Sequence, residues 1–196
     1  METLRAFIAI EMPTTVVDVV RLSQQALRRS GIELRWVRPE NVHLTLRFLG
    51  DIFTEAVDRI RISLEKLADE IPPFSLQVKG AGVFPGAARP RVIWLGLDGQ
   101  KYLRDMYGKL SSLLSEQGFP AENRPFKGHL TIGRIKGKVD THRLREKMDE
   151  LETVESQPFM ADRICLFKSN LGPGGAVYTP LVQVRMGRDA SHESGG

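Results

Sequence analysis

The chain has 196 residues, 41% of them hydrophobic and 27% charged, which excludes a disordered or fibrous protein and fits one domain or two small lobes around a shared core. Its 28 Lys and Arg against 24 Asp and Glu leave a net charge of +4. That excess permits an anionic partner and is no nucleic-acid signature by itself. A single cysteine, Cys165, excludes an internal disulfide framework and a Cys-rich zinc site, and the reducing cytoplasm is the expected compartment. No window supplies about 18 uncharged apolar residues for a membrane span, and the first residues, with Glu2, Arg5 and Glu11 around a β-branched run, predict a buried strand and no signal peptide.

Strands and amphipathic helices alternate along the chain. Residues 5–10 read as a strand, followed by a helix that opens at Pro13, buries Val16, Val20 and Leu27, and stops at Gly31. Residues 34–37 and 42–49 read as strands. Thr54 is placed to cap a helix presenting Val57, Ile60, Leu64 and Leu67, which Pro72 and Pro73 end. Residues 74–83 and 92–97 are strands around a Pro/Gly-rich loop. The pattern then runs again. A helix over 99–117 presents Leu103, Met106, Leu110 and Leu113 and stops at Gly118, residues 129–135 form a strand, and Asp140 caps a helix with Leu144, Met148 and Leu151 on one side. Residues 163–168 and 176–186 are strands joined by a glycine-rich turn. The expectation is an α+β or α/β fold of two similar lobes over 1–187, the pattern alone not deciding between parallel and antiparallel pairing, and a polar, frayed tail at 188–196.

Two of the four histidines begin the same pattern: His43-Leu44-Thr45-Leu46 and His129-Leu130-Thr131-Ile132. On a strand, side chains alternate faces, so each imidazole and its threonine share one face while Leu44, Leu46, Leu130 and Ile132 anchor the other in the core. If the lobes are related by a pseudo-two-fold, two imidazoles and two hydroxyls converge on one cleft. Such a set suits a phosphodiester. One neutral imidazole takes a proton from water, one imidazolium gives a proton to the leaving oxygen, and hydroxyls bond the non-bridging oxygens. With imidazoles near their usual value of about 6.5, the pH optimum is expected around neutrality.

A lone histidine in a strand is more often a satisfied structural residue; the repeated motif reverses that reading. Zinc would need a carboxylate or thiol beside the two histidines, and neither HExxH nor a clustered acidic motif is present. His142 reads as a solvated residue of a first helical turn, and His192 falls in the tail. Cys165 reads as a buried thiol. The glycines at 172, 174 and 175 lack the pattern of a nucleotide-binding loop and read as a turn.

These motifs, with the runs at residues 5–10, 42–50 and 126–134, resemble the two-histidine phosphoesterase superfamily, and within it the RNA 2′,3′-cyclic phosphodiesterases, historically called 2′-5′ RNA ligases. The resemblance covers nearly the whole chain, ending near Tyr178. It implies a bilobal α+β fold, each lobe a mainly antiparallel sheet with helices packed outside, around a central cleft. It implies opening of a terminal 2′,3′-cyclic phosphate to a 2′-phosphate, with ATP-independent 2′-5′ joining as the reverse chemistry in some members. By motif position His43 is the proton donor, His129 the proton acceptor, and Thr45 and Thr131 hold the phosphate. The implied partner is an RNA end bearing the cyclic phosphate, tRNA fragments among the candidates, met by a cytoplasmic, monomeric chain without cofactor, metal or membrane. Gly128 stands where many relatives carry proline.

Neighbouring residues extend the candidate site. Arg47, four positions after His43, shares its face on a regular strand and would meet phosphate there; the alternative is a solvated strand-end arginine. Arg134 matches an arginine that commonly follows the second motif. At five positions from His129 it faces away on a regular strand, unless Gly133 marks a bulge. Tyr178 could stack on a base or belong to the core. Two other readings remain at this point: a phosphodiesterase of small cyclic nucleotides or 2′-5′ oligoadenylates, and a non-catalytic RNA-binding module.

Overall fold

Unbroken burial from Ala6 to Ile10 in β1 (Thr3–Glu11) follows the apolar run of the sequence, and one-sided burial in α1 (Thr14–Arg29), where Val16, Val20 and Leu27 are enclosed, follows its helical period. The computed structural model describes residues 2–122, 125–173 and 175–187; the expected tail, with His192, lies outside the described residues. After β2 (Leu34–Trp36) and a 3₁₀ turn, Pro39–Asn41, come β3 (His43–Phe53) and α2 (Ala56–Glu70). Next are β4 (Phe74–Leu76), β5 (Val78–Phe84), β6 (Val92–Leu97) and α3 (Gln100–Glu116). The remainder is β7 (His129–Ile135), α4 (Thr141–Leu151), β8 (Phe159–Ala161), β9 (Arg163–Gly172) and β10 (Gly175–Arg185). Gly31 and Gly118 take positive φ, +72° and +87°, where α1 and α3 stop, the left-handed conformation that spares a helix terminus its strain.

Three local expectations change. Thr54 does not cap α2: its hydroxyl donates to the Glu2 carbonyl, 3.1 Å away, and ties the end of β3 to the start of β1. Residues 74–83 are two strands, broken where the Gln77 N–H leaves the ladder for the Asp98 carboxylate at 2.7 Å, so that β4 pairs with β8 and β5 with β6. Leu114, not Leu113, is the fully buried leucine at the end of α3. The Asp140 cap is as expected, its carboxylate accepting from the N–H groups of His142 and Arg143.

All the pairings are antiparallel, in the order β10-β9-β1-β3-β7-β6-β5, with β2 on the free part of β7. The junction between β3 and β7 is the single pair Leu44 with Leu130. The sheet is therefore two four-stranded wings hinged on two leucines. The wings do not follow the chain halves: β2 crosses into the second wing, and β9 and β10 return to the first. Helices cover one face. α2 packs against α3 and under β9 and β10, while α1 packs against α4 and β7. One core cluster, with Ile8, Leu44, Leu64, Leu103 and Leu130 wholly enclosed, fills the space between sheet and helices; each such side chain contributes about 1.5–3 kcal/mol on leaving water. The opposite face carries only a small cluster of Phe7, Ala9, Cys165 and Phe167, with Tyr178 against it. No helix among the described residues is long and apolar enough to cross a membrane.

Candidate active site

Each histidine is the first residue of its strand, and each ring is held in the same way. His43 Nδ1 lies 2.8 Å from the carbonyl oxygen of Asn41, and His129 Nδ1 lies 2.8 Å from that of Lys127. A carbonyl only accepts, so Nδ1 carries the proton in both rings and Nε2 is left for chemistry. The antiparallel register about Leu44 and Leu130 sets Thr131 across from His43 and Thr45 across from His129. Four polar side chains thus face away from the two buried leucines, as the strand period requires.

Aromatic walls surround the two imidazoles. Phe7 stacks on His43 with ring centroids 4.6 Å apart, and Tyr178 meets the same ring edge-on at 5.2 Å. Phe84 and Trp94 flank His129 at 4.9 and 6.2 Å. Burial in these walls lowers the pKa of both histidines below the usual value, and the hydrogen bonds to Asn41 and Lys127 oppose it in part. His129 carries a further load: the cations of Lys127 and Arg134 also disfavour its imidazolium. Lys127 is kept there by the face of Trp94, 4.3 Å from its ammonium. The approach to His129 is fixed by Gln100, which accepts from the Gly128 N–H at 3.1 Å and donates to the Gly128 carbonyl at 2.9 Å. Proline at this position would lack that N–H, so glycine here matches the partner that α3 supplies.

Bulges decide where the arginines go. In β7 the register against β6 slips between Thr131 and Gly133, so Ile132 and Gly133 both turn to the core and Arg134 returns to the face of His129 and Thr131. The same device in β3 has the opposite consequence for Arg47. The register against β1 slips between Thr45 and Arg47, Leu46 and Arg47 both turn inward, and Arg47 is 6% exposed on the helix side. There it donates to the Pro120 carbonyl and faces Glu122 at 3.7 Å. Arg47 is thus not brought to the histidines, and its work is to hold the segment that leads towards β7. We expect Arg47→Met to leave kcat/KM within about 2-fold while changing the melting temperature, since one buried charge is exchanged for an apolar chain of similar length. A loss near 100-fold in a folded variant would return Arg47 to the chemistry.

Phe48 occupies in β3 the place that Arg134 occupies in β7, and the strand period alone does not point to it. It is 61% exposed, its ring 6.1 Å from that of Phe7. Counting five residues on from each motif histidine, across the bulge, reaches both. Arg35 pairs with Arg134 across β2 and β7, a neighbour that no local pattern encodes. Beside Tyr178 opens a cavity of about 540 Å³ lined by Arg5, Arg35, Phe48, Arg134 and Tyr178 among others. Tyr178 is half-buried, and burial raises its pKa. Cys165 is enclosed beside Glu11, and burial pushes its thiol up to about 11, which keeps it from acting as a nucleophile. Among the described residues, no three His, Cys, Asp or Glu side chains gather in a way that could hold a metal ion.

Comparison with known proteins shows the family. The family model of LigT-like phosphoesterases matches residues 10–94 and again residues 95–178, one copy for each histidine motif. The chain is 33% identical over 182 residues to the RNA 2′,3′-cyclic phosphodiesterase of Methanothermobacter thermautotrophicus, covering 93% of this chain and 98% of that one. Among solved structures it resembles TT0787 of Thermus thermophilus, with a TM-score of 0.78, 25% identity and 94% and 98% of the two chains covered. It also resembles E. coli LigT complexed with 3′-AMP, at a TM-score of 0.69, 26% identity and coverage of 94% and 99%. A doubled motif, a doubled family match and relatives aligned over almost their whole length place this chain in the LigT-like phosphoesterase family.

Proposed function

We propose that the chain hydrolyses a terminal RNA 2′,3′-cyclic phosphate to a 2′-phosphate by acid–base catalysis between two histidines. The observation that carries this reading is the matched pair of imidazoles, each with its Nδ1–H on a backbone carbonyl. Relatives that align over most of the chain and are named RNA 2′,3′-cyclic phosphodiesterases support it. His129, with two cations beside it, is the better neutral base and takes a proton from the attacking water. Water oxygen bonds to phosphorus, the bond from phosphorus to O3′ breaks, and His43 supplies the proton that O3′ needs. Thr45 and Thr131 donate to the non-bridging oxygens, Arg134 meets the same charge, and Tyr178 offers a face or edge for the terminal base. A 5′-hydroxyl in place of water would give a 2′-5′ linkage with the same proton inventory and no ATP. The set needs no metal, because imidazoles move the protons and hydroxyl and guanidinium dipoles meet the charge.

The test is incubation with an RNA ending in 2′,3′-cyclic phosphate in the presence of EDTA, followed by identification of the product. A 2′-phosphate fits the proposal; a 3′-phosphate, or no product, counts against it. Within the same assay, Thr45→Ala or Thr131→Ala should cost about 1–3 kcal/mol of transition-state binding, the cost of leaving a charged partner without its hydrogen bond. Thr→Ser should recover most of the loss. If serine performs as badly as alanine, the methyl and not the hydroxyl is what the site uses.

A further inference from the structure

A second concavity begins where the cleft ends. It is an open groove of about 850 Å³ between the loop before β6, the end of β7 and the start of α4. Its lining includes Arg89, Arg91, Arg134 and Lys138 and no Asp or Glu. Arg134 also lines the cavity beside Tyr178, so the two concavities adjoin at one shared arginine. Arg91 and Ile135 join its floor, the Ile135 N–H donating to the Arg91 carbonyl at 2.9 Å. The nearest carboxylate in sequence, Asp140, is occupied by the N–H groups at the start of α4. Among the described residues none of these four cations takes part in an ion pair, whereas Arg21, Arg61, Lys109 and Lys147 on the helices each lie beside a carboxylate.

Unpaired guanidinium and ammonium groups along an open groove are a match for a line of phosphates. Arginine offers a planar fork to each, and neutralising them releases counterions. A mononucleotide cyclic phosphate seated at the histidines would leave the groove unused. We propose that the groove binds the single-stranded RNA chain 5′ of the cyclic phosphate, so that the preferred substrate is a polynucleotide end and not a small cyclic nucleotide. This rests on the phosphodiesterase reading above and adds the part of the substrate that reading leaves open. Arg134 joins the two functions: it meets the reacting phosphate on one side and the first upstream phosphate on the other.

The experiment compares the wild-type chain with the variant Arg89→Gln/Arg91→Gln/Lys138→Gln on two substrates, a 12-nucleotide RNA ending in 2′,3′-cyclic phosphate and a mononucleoside 2′,3′-cyclic phosphate. For the 12-mer, KM should rise roughly 10-fold or more near 0.1 M salt, and the plot of log(kcat/KM) against log[salt] should become shallower by about 2, at roughly 0.7 for each phosphate that is no longer neutralised. Turnover of the mononucleotide should not change. If KM for both substrates moves together, or for neither, the groove does not hold RNA. Should the wild type hydrolyse neither substrate, the phosphodiesterase reading fails and the groove is still judged separately. A fluorescent 12-mer with a 3′-hydroxyl should bind the wild type and lose roughly 10-fold in affinity with the triple variant; equal affinity overturns the proposal. A variant with Lys in place of Arg89 and Arg91 should retain most of the binding, and its failure to do so would point to damage of the loop instead.

Discussion

Replacing His129 by alanine should lower kcat/KM at least about 100-fold, and His43→Ala should do the same, the usual contribution of a positioned general acid or base. The double variant should fall little further, because a base and an acid that serve one displacement act as a unit and their losses do not add. The two positions differ in what surrounds them. His129 sits beside Lys127 and Arg134, so its neutral form is favoured before substrate arrives. His43 has aromatic neighbours and a carbonyl but no cation among the causes that move its pKa, which leaves the incoming phosphate as the group that charges it. His43→Ala should therefore be least damaging on a substrate whose leaving oxygen needs no proton, such as an aryl phosphodiester, while His129→Ala should remain impaired on it. Single-turnover assays on both substrates, with circular-dichroism melts to show that each variant folds, give the comparison. Near wild-type turnover in a folded variant would remove that histidine from the mechanism.

What is legible in the sequence is what is local. The four motif side chains depend on the strand period alone, and the strand supplies it: Leu44 and Leu130 are wholly buried and their neighbours face the cleft. The helices are legible because one face of each is apolar, and the Asp140 cap because a carboxylate before a helix has one obvious use. Arg47 and Arg134 escape a regular strand period for one reason. A bulge adds a single residue and inverts every face beyond it; in β7 Gly133 signals it and Arg134 returns to the site, whereas in β3 Leu46 does not differ in type from the leucines of a regular strand and nothing local signals the turn of Arg47. Tyr178, a candidate for stacking on a base, lies against His43. The aromatic walls are out of reach of any local pattern. Phe7 comes from β1, Phe84 from β5 and Trp94 from β6, and only the order of strands in the sheet brings them to the histidines. The exchange of β2, β9 and β10 between wings is non-local in the same way.

The rate should follow a bell-shaped pH profile with its maximum below about 6.5, not at neutrality, and chelation should not alter it. One histidine must be neutral and the other protonated, so kcat/KM rises as pH climbs through the lower apparent pKa and falls as it climbs through the upper one; both values belong to the pair. In the unbound site both imidazoles titrate below the usual 6.5 of the free side chain, because burial among Phe7, Tyr178, Phe84 and Trp94 disfavours the cation. The midpoint of the bell moves down with them, and the alkaline limb should lose about tenfold per pH unit. Bound substrate reverses the sign, since a phosphate anion favours imidazolium, and the profile of kcat should lie at higher pH than that of kcat/KM. Lys127→Met removes a cation from beside His129 and should carry the kcat/KM profile upward, whereas a residue with only a packing role would change its height and leave its position. The measurement is the pH dependence of initial rates for metal-stripped protein, with and without EDTA and added zinc. A single-limbed curve, or activity that returns only with a divalent ion, would refute the two-histidine mechanism, because a metal-bound water has its own pKa and its own requirement for the ion.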